Sequence, residues 1–405
     1  MSQRQGPQHD DGRPGRGHGR RWPARGTVLR WIAAASAICL VAVSLAAYLE
    51  YRSISDSISR VSLRGLGPQP PKLTSAANIL LIGSDSRAGR DERFGAGISG
   101  QRSDTIIIVH IAPSDRGVVA LSLPRDSVVP VLACPASDGT AGQAAEPGQV
   151  EQINHSFADG GPGCLWKTIE QTTHLHLDHF IELNFTGFEK VIDDIGGVSI
   201  CLPFAVNDPL SRLRLPAGLH HVMGAEALAF WRARYIGEGS DLQRIERDQY
   251  LMAGVLQGIE HADLLASPGR LLSVVTDAAR SMTTDAGLSL PGLIGIIDSL
   301  RRVPPRAVRF VELPTVPYPA NPDWVQWPRR DAALFAALAR DRPVRVPTGP
   351  AAYLGSARIV PLAGESQGPG PGHPASPARR PLAGISGAAN VCHDHEAFAG
   401  PAGGH

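Results

Sequence analysis

The sequence predicts an α/β layered domain built on a central sheet and preceded by one membrane-crossing helix. Three observations predict it. Residues 31–49 form a run of 19 residues without a charge, mostly Ala, Val, Leu and Ile. Downstream, short runs rich in β-branched residues alternate with stretches of helical periodicity, the pattern of a layered α/β domain. At 405 residues the chain is long enough to bury a sizeable core.

At about 1.5 Å per residue the uncharged run just covers a hydrocarbon core of roughly 30 Å. Arg20, Arg21, Arg25 and Arg30 precede it, and Glu50, Arg52 and Asp56 follow. Basic flanks stay in the cytoplasm, so the expectation is a single-pass cell-membrane protein with a cytoplasmic N-terminus and an extracytoplasmic domain. A cleaved signal peptide is the other reading, because Ser44-Leu45-Ala46 is a small-residue site. Either way residues 50–405 lie outside. Residues 1–26, polar and rich in Gly, Arg and Pro, are expected as a disordered cytoplasmic tail. Residues 27–49 are the signal-anchor. Residues 50–77 read as an extracytoplasmic linker that includes Gly67-Pro68-Gln69-Pro70-Pro71. The folded domain is expected over 78–342, and the Pro/Gly/Ala-rich 343–405 as a disordered tail.

An exterior location permits disulfides. Of five cysteines none forms a C-x-x-C pair, which removes a zinc or thioredoxin-like reading. Cys39 lies in the span. Cys134 and Cys164 bracket a Gly/Pro/Ala-rich loop and are expected to staple it. The partners of Cys201 and Cys392 stay open. The net charge of +1 gives no basis for bulk nucleic-acid binding, and no helix-turn-helix with a basic face is evident. Of 39 basic residues only Lys72, Lys167 and Lys190 are lysines. A lone arginine therefore says little; only arginine clusters in acidic or glycine company count.

Within the domain, Asn78-Ile79-Leu80-Leu81-Ile82-Gly83 reads as a buried strand. Residues 105–111 and 118–123 read as two more, joined by the turn Pro113-Ser114-Asp115-Arg116-Gly117. Residues 179–184 and 308–313 are further candidates. Helical patterns cover 164–173, 187–195, 224–233 and 241–259, with Asp241 as N-cap of the last.

Charged clusters stand at three strand ends: Gly83-Ser84-Asp85-Ser86-Arg87, Arg102-Ser103-Asp104-Thr105 and Leu123-Pro124-Arg125-Asp126-Ser127. In an open α/β sheet such loops gather around one crevice. Two carboxylates with phosphate oxygens and waters suit Mg²⁺, and arginine's planar fork matches phosphate oxygens in pairs. A fourth cluster runs from Arg232 and Arg234 to Arg244 and Gln249. On a helix Arg232 and Arg234 diverge; in an extended or terminal segment they point the same way. Gly237, Gly239 and Ser240 allow close approach to a ligand.

In order, these stretches resemble the signature segments of the LytR–CpsA–Psr family. They are the residues from Asn78 to Arg87, Arg102-Ser103-Asp104-Thr105, Ser122-Leu123-Pro124-Arg125-Asp126-Ser127, Ile153-Asn154 with Gly160-Gly161, and Trp231-Arg232-Ala233-Arg234 with the run from Asp241 to Gln249. The resemblance covers roughly residues 78–340. It implies an α/β/α sandwich with a central mixed sheet and a hydrophobic pocket for a polyprenyl tail. It implies transfer of a glycopolymer from a polyprenyl-pyrophosphate carrier to peptidoglycan. By position, Asp85 and Asp104 are expected to hold Mg²⁺ or Mn²⁺, with Asp85 and Arg125 catalytic. Arg87, Arg102, Arg232, Arg234, Arg244 and Gln249 are expected to bind substrate. Hydrolysis of the lipid-linked pyrophosphate, and a non-catalytic regulatory role in the envelope, are the alternatives. Two positions depart from the family pattern: Gln152 stands where lysine is common, and Asp248 interrupts the usual Arg-Gln-Gln ending.

Overall fold

A computed structural model of the chain describes residues 25–84, 103–113, 117–131, 134, 149–202, 205–233, 241–261, 268–344 and 385–386. Helix α1 (Arg25–Ser57) is followed by the short strand β1 (Ser59–Val61), then β2 (Ala77–Ser84), β3 (Ser103–Ile111) and β4 (Val118–Leu123). The small strands β5 (Val128–Pro130) and β6 (Val150–Gln152) precede α2 (Ile153–Thr173), β7 (His179–Asn184) and α3 (Phe185–Asp194). Four short strands follow: β8 (Val198–Leu202), β9 (Val206–Asp208), β10 (Leu213–Leu215) and β11 (Gly218–Val222). Then come α4 (Gly224–Arg232), α5 (Asp241–His261), α6 (Pro268–Ala279), β12 (Met282–Asp285), α7 (Leu290–Arg302) and β13 (Val308–Glu312). The hairpin β14 (Val316–Tyr318) and β15 (Asn321–Gln326), α8 (Asp331–Ala339) and β16 (Ile385–Ser386) complete the order.

Eight strands form one mixed sheet in the order β1-β12-β7-β2-β3-β4-β13-β16. β2 is antiparallel to β3 and parallel to β7; β4 is antiparallel to β3 and parallel to β13. Side-chain alternation on these strands makes the layers. Leu80, Ile82, Ile106, Ile108, Leu121 and Leu123 pack against Phe157, Leu165 and Ile169 of α2 and Leu334 and Phe335 of α8. Their neighbours Ile79, Ile107, Val109, Val118 and Ala120 face the other way, onto Ala253 of α5 and Leu300 of α7. Both faces of β2 are therefore covered, which is why its sequence is a continuous apolar run rather than an alternating one. The result is an α/β/α sandwich. A separate cluster joins Phe188 and Ile192 of α3, Val198 and Ile200 of β8, and Leu228 and Trp231 of α4.

The chain divides into two units, residues 1–53 and 54–405. In the first, α1 carries the span Leu29–Ser57, which reaches just past the boundary; an 18-residue window of it has mean hydropathy 2.3, and the helix is long enough to cross a membrane. In the second, the residues expected as a linker are packed on the domain. Ile54 and Ile58 are 2% and 5% exposed and lie against Met282, Leu288 and Leu293. β1 pairs in parallel with β12. Gln69 Nε2 donates to Glu170 Oε1 at 3.0 Å and to the Leu177 carbonyl at 3.2 Å, and Lys72 pairs with Asp178. Glu170 is fully buried, and burial raises its pKa while the Leu177 amide and Gln69 oppose the rise. Beyond Ile54 and Ile58, this docking uses polar side chains and a three-residue strand, neither of which has a hydrophobic period.

α2 starts at Ile153, eleven residues before the helical pattern expected from 164. Gly160-Gly161-Pro162-Gly163 reads as a break, and Gly161 does leave helical geometry at φ 68° with Pro162 behind it, but both halves are helical. Cys134 and Cys164 are joined by a disulfide with Cα atoms 5.6 Å apart. A Cβ on Gly160 would lie 2.5 Å from the Cys164 Cβ, so glycine is needed for the disulfide to pass. Cys201 is disulfide-bonded as well, and Cys39 is a free thiol. In the segment expected as a disordered tail, Ile385 and Ser386 form β16, antiparallel to β13.

Candidate active site

The sheet register brings the strand-end clusters to one edge. Glu182 of β7 pairs with Ile82, Ile82 with Ile106, and Ile106 with Leu123. Beyond this row lie Ser84, Ser103 and Arg125 in turn. A bulge between Gly83 and Ser84 pairs Gly83 with Thr105 and Ser84 with Ser103, so Asp104 is the extra residue of β3 at the strand end. Asp85, Arg87, Arg102 and Arg234 lie outside the described residues. For Asp104 and Arg244 the description covers the backbone, in β3 and α5.

Arg125 stands in the turn from β4 to β5, about three-quarters buried, with Nε 3.5 Å from Asp126 Oδ2. The turn is clipped to the start of α2: the amides of Ile153 and Asn154 donate to the carbonyls of Ser127 and Arg125. Gln152, one of the two departures from the family pattern, donates from Nε2 to Asp126 Oδ1 at 2.9 Å. It thus supplies a neutral donor where a lysine would supply a charged one.

On the other face of the edge, α4 ends at Arg232, and Ala233 already has extended geometry at φ −61°, ψ 129°. Arg232 is therefore the last residue of α4, and the chain leaves helical geometry directly after it. Arg232 places its guanidinium 5.0 Å from the Phe185 ring centroid, a cation–π contact. Trp231 packs edge-on to Phe185 and 4.8 Å from Phe188 between centroids. Its ring occupies the space a side chain at Gly83 would need: a Cβ there would be 2.7 Å from it. The indole Nε1 donates to Thr105 Oγ1 at 3.2 Å, and Thr105 Oγ1 donates to Asp248 Oδ2 at 3.2 Å.

Gln249, beside Asp248 on α5, is 3% exposed, and its Nε2 has no hydrogen-bond partner among the described residues. Ser103 Oγ is also buried without one. Buried polar groups are ordinarily paired, and these two unpaired atoms lie at one sheet edge. Glu182 lies on the same row with its carboxyl pKa raised by burial, a rise that the Ser84 hydrogen bond opposes.

Arg125, Arg232 and Gln249 are thus at one end of the sheet. Sequence reasoning gave no site role to Thr105, which it placed in a signature segment, or to Glu182 and Phe185. Phe185 had a signal, because Phe185-Thr186-Gly187-Phe188 follows a strand end. Glu182 had only its charge inside an apolar strand.

A family model described as the LytR_cpsA_psr family matches residues 47–332. Among curated relatives, the probable cell wall biosynthesis protein LcpB of Corynebacterium glutamicum is 34% identical over 221 residues, covering 53% of this chain and 49% of its own. The polyisoprenyl-teichoic acid–peptidoglycan teichoic acid transferase TagV of Bacillus subtilis is 26% identical over 239 residues, covering 56% of each chain. The chain spans about half the length of these relatives. The fold is shared with a LytR-Csp2A-Psr enzyme from Actinomyces oris at TM-score 0.51 and 22% identity, covering 70% of this chain and 96% of that one. It is shared too with protein gbs0355 of Streptococcus agalactiae at TM-score 0.54 and 20% identity, covering 66% and 89%.

Proposed function

This chain belongs to the LytR–CpsA–Psr family, and on that premise we propose that it is a phosphotransferase of cell wall assembly. It moves the sugar-phosphate end of a glycopolymer from a polyprenyl-pyrophosphate carrier to a hydroxyl of peptidoglycan. The observation that carries this reading is the gathering of Arg125, Arg232 and the orphan donors of Gln249 and Ser103 at one sheet edge. Those groups are all donors, as a pyrophosphate requires. The names of the relatives, a cell wall biosynthesis protein and a teichoic acid transferase, support the substrate class. The arginine-rich flank before α1 supports a cytoplasmic N-terminus, with the domain facing the wall.

In this reading Arg125 and Arg232, with Arg87, Arg102, Arg234 and Arg244, bind the two phosphates, and Gln249 donates to a phosphate oxygen. Asp85 and Asp104 would hold Mg²⁺ or Mn²⁺, which supplies positive charge to the pyrophosphate. Two carboxylates are a hard-oxygen donor set suited to either ion, and Asp104 stands at the bulge one residue from the Ser84–Ser103 pair. The peptidoglycan hydroxyl oxygen bonds to the proximal phosphorus. The bond from that phosphorus to the bridging oxygen breaks, polyprenyl phosphate departs, and Asp85 takes the hydroxyl proton.

The test is transfer of glycopolymer from a lipid-pyrophosphate donor to peptidoglycan by the purified chain. Arg125→Ala and Arg232→Ala are each expected to lose about 2–4 kcal/mol of transition-state stabilisation, a fall of roughly 30- to 1,000-fold in rate. Parental rates in both variants would remove these arginines from the site. Release of free sugar phosphate alone, with acceptor present, would replace transfer by hydrolysis.

A further inference from the structure

Resting on the reading that this edge binds a pyrophosphate, we infer that Asp248 is a positioning residue, which sets α5 against β3 through Thr105. Asp248 is 5% exposed and accepts from Thr105 Oγ1, which in turn accepts from Trp231 Nε1. Thr105 directly follows Asp104, and Trp231 directly precedes Arg232. The chain of three groups therefore runs between a metal-binding candidate and a phosphate-binding one. Arg247, the neighbour of Asp248 on α5, donates from a guanidinium nitrogen to the Ala233 carbonyl at 2.9 Å, between Arg232 and Arg234. Two consecutive residues of α5 thus tie it to two different elements, and the next residue is Gln249 with its orphan donor.

Asp248 stands where the family pattern has glutamine. A buried carboxylate is costly unless hydrogen-bonded, and beside an anion site its charge opposes binding. Its presence is explained when it works as an acceptor that fixes Thr105 and, through it, the indole.

The probe is inorganic pyrophosphate with Mg²⁺, titrated calorimetrically into the detergent-solubilised full chain. Losing the tether is expected to weaken binding about tenfold in Asp248→Ala and comparably in Thr105→Val. The double variant binds no more weakly than Asp248→Ala, because both substitutions break one connection. Asp248→Asn stays within about threefold of the parent, since its amide oxygen still accepts from Thr105. If Asp248→Ala proves unfolded in a melting scan, Thr105→Val weakened and Asp248→Asn unweakened carry the result. Asp248→Asn as weak as Asp248→Ala would overturn the inference, because the charge itself would then be in use. Parental affinity in Thr105→Val, or additive losses in the double variant, would overturn it too. A parent that binds no pyrophosphate overturns the site reading itself; a parent that binds, with every variant its equal, overturns only the role of Asp248.

Discussion

Asp331 opens α8, is 1% exposed, and neither carboxyl oxygen has a hydrogen-bond partner among the described residues. Burial pushes its pKa up from the ordinary 3.8 to about 7, against the opposing charge of Arg330. Between those values the folded chain holds a proton that the unfolded chain releases, so stability falls as pH rises through that window and levels off above it. At about 1.36 kcal/mol per pH unit the full cost is on the order of 4 kcal/mol. Asp331→Asn removes the charge and keeps the shape. At pH 8 the variant is therefore expected to be the more stable by roughly 2–4 kcal/mol, and at pH 4 the two chains should be nearly equal. For a domain of this size that corresponds to a melting temperature higher by about 5–10 °C at pH 8. The assay is thermal unfolding of parent and variant, followed by far-UV circular dichroism at several pH values. A variant that melts below the parent at pH 8, or an offset that does not change with pH, refutes the reasoning.

Gly160→Ala should drive a methyl into the Cys134–Cys164 disulfide, at 2.5 Å from the Cys164 Cβ; titration of free thiols after unfolding should find a larger reduced fraction than in the parent. Gln69→Leu removes a donor from the buried Glu170 and should cost about 1–3 kcal/mol. Because the Glu170 pKa is already raised, the Gln69→Leu loss should be greater at pH 8 than at pH 4.5, measured by denaturant unfolding.

The central strands were legible because burial on both faces writes an unbroken apolar run, as in Ile79-Leu80-Leu81-Ile82. The first half of α2 was not, because the Gly161 and Pro162 that kink the helix are the residues that ordinarily end one. The strand-end strings around Asp85, Asp104 and Arg125 could be read in order, since each sits where a strand stops. What joins them could not. Thr105 and Asp248 are 143 residues apart, and nothing local to either names the other. Gln69 and Glu170 meet across 101 residues by the same kind of contact, so the segment before the domain read as free chain.

That docked segment decides where a soluble version of this chain can begin. A truncation starting at Asn78 follows the expected domain boundary, yet it removes β1 and leaves the outer edge of β12 bare. It also opens the apolar trough that Ile54 and Ile58 fill and strips Glu170 of the Gln69 donor. An unpaired strand edge beside an apolar patch is a template for self-association. Cutting within the last turns of α1, ahead of Ile54, keeps the edge paired. Size-exclusion chromatography should find that longer form monodisperse and the shorter one aggregated.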